Sequence, residues 1–349
     1  IVDPYVEKSP FYDILKNQGI PFYDRMEDFY ESRKADLAVI ASPIHFHALQ
    51  TEIALKNGSN VLCEKPVCAG PEDIEKMASF KEKYEGFVAV GYQWSFSQAI
   101  LDLKKDILSG LFGKAEYLKT LVSWPRSHAY FNRNNWAGKI KTEDGRYILD
   151  SVANNATAHY LHNMFYALGK TLQESVLPKI EHCVLGAANP IENFDTITVQ
   201  ATGEDGTKFY FAAAHPVSPT KGPVFEYKFE NEIVTYNPQE RQEIIAVFKD
   251  GSKKVYGNPG DSDHNKLILC MEKTKNKKLE LPCTVETALP HARFIYNLYR
   301  SYPVNRFKDN LIKTVEIRNA PVTIVEGLDK TLDACYEDMR MLSEEYFKR

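Results

Sequence analysis

The sequence predicts an α/β protein: a Rossmann-type doubly wound parallel sheet, its N-terminal part cut short, followed by an α+β domain with an open, mostly antiparallel sheet. Three observations predict it. Between residues 35 and 94, short all-apolar runs alternate with helix-length amphipathic segments, the pattern of parallel βαβ units. After Gly113 the runs alternate polar and apolar residues and are rich in β-branched and aromatic types, as antiparallel strands are. Charged residues cluster where the early apolar runs stop, and an open α/β sheet binds its ligands outside the carboxyl ends of its strands.

Element by element, 11–19 reads as a helix closing on Gly19, 26–33 as a second short helix, and 35–42 ("ADLAVIAS") as a buried strand. A helix over 46–57 ends at Gly58, "NVLCEKP" (60–66) is the next strand, a helix follows over 71–84, and 87–94 is again strand. Segments 115–124, 194–203, 207–215 and 224–236 read as antiparallel strands, with Asp205-Gly206 as a hairpin turn. One helix, 153–168, interrupts them, and helices return at 285–301 and 327–347. This divides the chain into a dinucleotide-binding unit over 1–120 and a substrate-binding unit over 121–349, with the C-terminal helix expected to pack back on the first.

Composition excludes several functions. The chain has 349 residues, 44% hydrophobic and 26% charged, enough for two cores. A net charge of −4 gives no basis for a nucleic-acid or membrane surface, and no apolar run approaches the roughly 20 residues of a membrane helix. The six cysteines form no C-x-x-C pair, which suits a reduced compartment and argues against a disulfide framework or structural zinc. A cytoplasmic location is expected, with a periplasmic one left open by the start of the chain. That start, "IVDPY", reads as the end of a strand, and about 30 further residues carrying a strand and a glycine-rich turn are expected before it.

The ordered set Ser42, Pro43, His47, Gly58, Val61, Glu64, Lys65, Pro66, Val90, Gly91 and Tyr92 carries a specific pattern. It resembles the glucose–fructose oxidoreductase/inositol dehydrogenase (Gfo/Idh/MocA) family, whose members carry T/S-P-x-x-x-H, then G-x-x-V-x-x-E-K-P, then V-G-Y. The likeness spans nearly all of 1–170 and thins afterwards. It implies an NAD- or NADP-linked oxidoreductase acting on a hydroxyl-bearing carbon of a sugar, cyclitol or derivative. A homo-oligomer, dimer or tetramer, is expected. Two other readings stay open: a glycoside-cleaving enzyme that oxidises its substrate transiently, and a non-catalytic dinucleotide-binding regulator.

The chemistry supports the first reading. Hydride leaves a carbon only as the attached hydroxyl loses its proton, so the site must stabilise negative charge developing on oxygen, which the Lys65 ammonium can do. Asp3, at the end of the second strand of such a fold, is placed for the ribose hydroxyls and favours NAD over NADP; the alternative is a turn aspartate before Pro4. Ser42, Pro43, His47, Glu64, Lys65, Pro66 and Gln93 complete the expected cofactor contacts, while His45 reads as ordinary lining. The family's D-x-G-x-H stretch aligns with "NATAH" (155–159), so His159 matches the histidine while Asn155 replaces the aspartate. An asparagine accepts no proton, which leaves His159 as base and Asn155 as an orienting group, with Asp150 a spare carboxylate. Arg133 and Trp136, in the aromatic and polar run 124–139, are expected to touch substrate. His159 and His162 share a metal-like spacing but lack a third ligand, so no metal is expected.

Overall fold

The computed structural model describes residues 1–261 and 264–348. Val2 pairs in parallel with Tyr23 through one bridge, beside the short helices α1 (Tyr12–Asn17) and α2 (Met26–Ser32). A three-stranded parallel sheet follows: β1 (Leu37–Ile40), β2 (Asn60–Cys63) and β3 (Val88–Val90), in that order. Their crossovers are α3 (His47–Lys56), then α4 (Pro71–Ala78) and α5 (Phe80–Lys83). Each strand is shorter than its apolar run because the chain turns where the charged and polar residues begin. Cys283–Thr284 lines the far edge of β3, whereas no strand of the described residues pairs with the far edge of β1, where Val39 is 54% exposed.

Helix α6 (Gln98–Leu108) leads into β4 (Ala115–Ser123), a strand of a nine-stranded sheet. After α7 (His128–Phe131) the chain makes a π-helical turn (Val152–Ala156) and then α8 (Ala158–Ala167). The sheet's other strands are β5 (Lys179–Ala187), β6 (Thr196–Thr202), β7 (Lys208–Ala214), β8 (Lys221–Phe229), β9 (Glu232–Asn237), β10 (Arg241–Phe248), β11 (Lys253–Gly257) and β12 (Val304–Arg306). The order is β11-β10-β9-β8-β4-β7-β6-β5-β12, antiparallel except for β4–β7 and β5–β12. The stretch 224–236 is therefore a hairpin rather than one strand, turning at Glu230–Asn231.

Helices α9 (Asn265–Lys275) and α10 (Val285–Ser301) precede β12, and the hairpin β13 (Ile312–Ile317)–β14 (Ala320–Val325) precedes α11 (Leu328–Asp338). The expected return of the C-terminal helix to the first unit is corrected here. Leu328, Leu332 and Cys335 of α11 are buried with Leu121 and Tyr210 on the nine-stranded sheet, because its apolar stripe meets the face of β4 and β7. The bridging helix is α10. Its first half (Val285, Ala288, Leu289, Ala292) lies in the core of the first sheet, and its second half (Phe294, Ile295, Leu298) in that of the second.

Candidate active site

Register aligns the strand ends. Ile40 stands opposite Cys63 and Cys63 opposite Val90, so Ala41, Glu64 and Gly91 form the next row. Gly91 N–H donates to the Cys63 carbonyl (2.8 Å), and Glu64 N–H to that of Ile40 (2.8 Å). A side chain on Gly91 would bring its Cβ to 2.9 Å from the Glu64 carboxylate, so glycine lets that carboxylate lie against the backbone. Glu64 also accepts from Lys266 of α9, a partner 202 positions away that no motif signals. His47 is buried (1% exposed), with ring nitrogens 2.8 Å from the Pro66 carbonyl and 2.9 Å from that of Ser42. Burial disfavours the charged ring, so one ring N–H donates to one of these carbonyls at the ends of β1 and β2, while a cofactor contact for His47 stays an expectation. Ser42 donates to Gln50 (2.6 Å), and Gln93 opens the turn after β3.

Lys65 projects from the end of β2 toward the second sheet. Its Nζ donates to the backbone carbonyl of Asn155 (2.7 Å) and to Asn155 Oδ1 (3.2 Å). The Asn155 amide then donates through Nδ2 to Asp150 Oδ1 (2.8 Å), while Gly138 N–H donates to Asp150 Oδ2 (2.6 Å) and the Arg133 guanidinium stands 3.8 Å from that oxygen. With both oxygens accepting, Asp150 fits a carboxylate, though burial raises its pKa above the ordinary 3.8. Burial also lowers the Lys65 ammonium to about 8, a shift opposed by Glu64 and Asp150 and helped by Lys266 and Arg133. The carboxylate absent at position 155 therefore stands one hydrogen bond further back.

Asn155 lies in the π-helical turn, not in a regular helix. Thr157 N–H reaches the Val152 carbonyl (3.0 Å) and Ser151 Oγ caps Asn154 N–H (3.2 Å). π-Turns recur at functional sites because they push one side chain off the helical path. The turn is fastened from behind: Tyr92 OH meets His291 Nδ1 (2.9 Å), and His291 Nε2 meets the Ala153 carbonyl (3.2 Å). A carbonyl requires a donor, so Nε2 carries the proton and Tyr92 donates to Nδ1. His159 begins the regular helix, its ring centroid 5.9 Å from that of Tyr92 and its Nδ1 buried without a partner. Burial, reinforced by Lys65, Lys266 and His291, holds it neutral, well below the ordinary 6.5. His162 instead stacks on Tyr92 at 3.9 Å, and among the described residues no three His, Cys, Asp or Glu side chains converge to hold a metal.

The remaining expected residues sit apart from Lys65. Exposed Asp3 follows the Val2–Tyr23 bridge, its Oδ1 accepting Tyr5 N–H (2.8 Å), the turn contact that its neighbour Pro4 suggests. Trp136 is half-buried, 5.0 Å from the Arg133 guanidinium. Cavities of about 350 and 360 Å³ lie behind the strand ends, lined by α9 with Phe96 and by Leu55 with Val285, and neither includes Lys65.

Residues 1–92 match the model of an oxidoreductase family, GFO_IDH_MocA, described as an NAD-binding Rossmann fold. Residues 1–92 are thus similar to the NAD-binding domain of this family. Among relatives, it is 31% identical over 110 residues to the rhizopine catabolism protein MocA of Rhizobium meliloti, covering 32% of this chain and 34% of that one. It is 28% identical over 137 residues to an inositol 2-dehydrogenase of Corynebacterium glutamicum, covering 39% and 37%. The chain thus spans about a third of the length of these curated relatives. The fold extends further: a WlbA dehydrogenase from Bordetella pertussis, solved with NADH and UDP-GlcNAcA, superposes with a TM-score of 0.67 at 19% identity, covering 86% of this chain and 87% of that one. One feature of the strand ends is compatible with a dinucleotide. The buried His45 Nδ1 after β1 has no hydrogen-bond partner among the described residues and is a polar atom that a bound dinucleotide could satisfy.

Proposed function

We propose that the protein is an NAD-dependent dehydrogenase that oxidises a secondary hydroxyl of a sugar, cyclitol or derivative. One observation carries this reading: a part-buried lysine at the carboxyl end of a Rossmann strand whose ammonium, among the described residues, donates to two oxygens of Asn155. Two of its N–H groups are committed, and the third remains for a substrate oxygen. That geometry suits an ammonium donating to an alkoxide as it forms, a group that idle surface charge would not require. His159, neutral and with Nδ1 unpartnered, receives the hydroxyl proton. Asp150 and Asn155 hold the lysine's acceptors in place. When bound, NAD supplies the hydride acceptor, so that CH–OH becomes C=O. Ser42, Pro43, Glu64, Pro66 and Gln93 would line its nicotinamide end and Asp3 its adenosine ribose; the Asp3 carboxylate can accept from both ribose hydroxyls and would repel a 2′-phosphate.

NADH absorbance on mixing the protein with NAD and a panel of monosaccharides, cyclitols and glycosides tests the reading. Net NADH is expected. Cleaved glycoside without net NADH would move the protein to the transient-oxidation class, and NAD binding without turnover on any substrate would leave a regulator.

A further inference from the structure

Arg126 is a cation without an acid. It follows β4 in a segment fastened on every side: His215 Nδ1 donates to the Trp124 carbonyl (2.8 Å), Trp124 Nε1 to the Gly222 carbonyl (3.0 Å), Ser127 bridges to Val322, and His128 Nε2 meets Thr323 Oγ1 (2.9 Å). The guanidinium lies between two rings, 5.4 Å from that of Trp124 and 5.1 Å from that of Tyr130. Its Nε is buried without a partner, and among the described residues no carboxylate forms a salt bridge with it. Arg133 stacks on the same Tyr130 ring at 3.9 Å and leans on Asp150, whose oxygens already serve Asn155 and Gly138. Arg126 and Arg133 thus flank one aromatic ring, next to the hydrogen-bonded chain that ends on Lys65. The cations of this cleft (Lys65, Lys266, Arg126 and Arg133) outnumber its carboxylates, Glu64 and Asp150.

A half-buried guanidinium held rigidly without a counter-charge is costly unless a ligand supplies one. We propose that Arg126 forms an anion-binding subsite of this cleft, so that the substrate carries a carboxylate or phosphate group in addition to the hydroxyl that is oxidised. The inference rests on the dehydrogenase reading only in assigning that anion to a substrate. A guanidinium carries pairs of parallel N–H donors, the fork that a carboxylate or a phosphate takes up in bidentate fashion. The aromatic rings on either side would bear against the apolar faces of the attached sugar.

Calorimetric titration of the full chain, with and without NAD, tests this. The ligands are glucuronate, galacturonate, gluconate and glucose-6-phosphate against glucose and galactose. At least one anionic sugar should bind about tenfold or more tighter than its neutral parent. Arg126→Gln should erase the difference, and Arg126→Lys, which keeps the charge and loses the fork, should retain part of it. The carboxylate and phosphate arms separate the two sources of anion, and melting curves confirm that each variant is folded. Equal binding of acid and parent by the wild-type chain, or a preference that survives Arg126→Gln, overturns the subsite. NADH formed indifferently from neutral and acidic sugars would remove the subsite and keep the dehydrogenase. Acid-selective binding without NADH from any sugar would do the reverse.

Discussion

The two sheets divide the labour differently. In the first, strands of three or four residues are short, and the groups proposed to carry the chemistry sit immediately beyond them: Ser42, Glu64 with Lys65, and Gly91 with Gln93. In the second, strands of up to nine residues such as β4 and β8 are buried at most positions, and the groups proposed to act come from the connections that leave the sheet, Arg126, Arg133, Asp150 and Asn155. A parallel sheet aligns its carboxyl ends, so adjacent sequence positions become adjacent site positions. The large mixed sheet acts as a floor over which one loop and one π-turn are draped. Substitutions on the first side should remove chemistry, and substitutions on the second, His159 apart, should detune it.

The largest effects test the point where the two sides meet. Lys65→Met and His159→Ala should each lower kcat by about 100-fold or more. NAD affinity should hardly change in His159→Ala, since that residue stands on the helix of the second unit. Near-normal turnover in either variant would break the assignment of roles. With a protonated Lys65 as donor, kcat/KM should fall as pH rises through the lysine's value of about 8. A rise over the same range would make the neutral lysine the base instead.

A smaller effect separates detuning from chemistry. The charges acting on Lys65 are Glu64 and Asp150, which raise its pKa, and Lys266 and Arg133, which lower it. Asp150→Asn removes a raising charge, so the alkaline limb of the kcat/KM profile should move to lower pH, with a loss of roughly tenfold (~1.4 kcal/mol) in kcat. Asn155→Asp should move the limb to higher pH. An unshifted limb in both variants would reduce the Asp150–Asn155 pair to a structural contact.

How much could be read from the chain follows the same division. "CEKPV" and "VGYQ" place their chemistry in consecutive residues, so Lys65, Glu64 and the row beside Gly91 were legible. Asp150 was visible only as a spare carboxylate, because its five-residue offset from Asn155 gains meaning from a π-turn that an α-helical reading of 153–168 replaces. Lys266 had no local signal, and its helix was missed among polar residues. A ribose-binding role for Asp3 rests on analogy with the fold alone, and it carries the next prediction: Asp3→Ser should narrow the proposed preference for NAD over NADP about tenfold in relative Kd. Tighter NADP binding by the unaltered protein would refute it.

The smallest expected difference is one of stability across the molecule. Amide hydrogen exchange should leave β4, β6 and β7, central strands with buried faces, as the slowest protons. Residues 1–34 and β1, with Val39, Ile14 and Tyr5 exposed, should exchange sooner. Equal protection in both would mean that the first sheet is as tightly held as the second.

Helix α10 gives the molecule a mechanical character. Its two halves are buried in different cores, around the interior Pro290 and beside His291, which grips the π-turn. A hinge rotation of one sheet against the other would have to withdraw Phe294, Ile295 and Leu298, or else Val285, Leu289 and Ala292, from their packing. Each large side chain so exposed costs about 1.5–3 kcal/mol. The cleft is therefore a fixed jaw. Heating should therefore melt both units in a single cooperative step rather than one after the other.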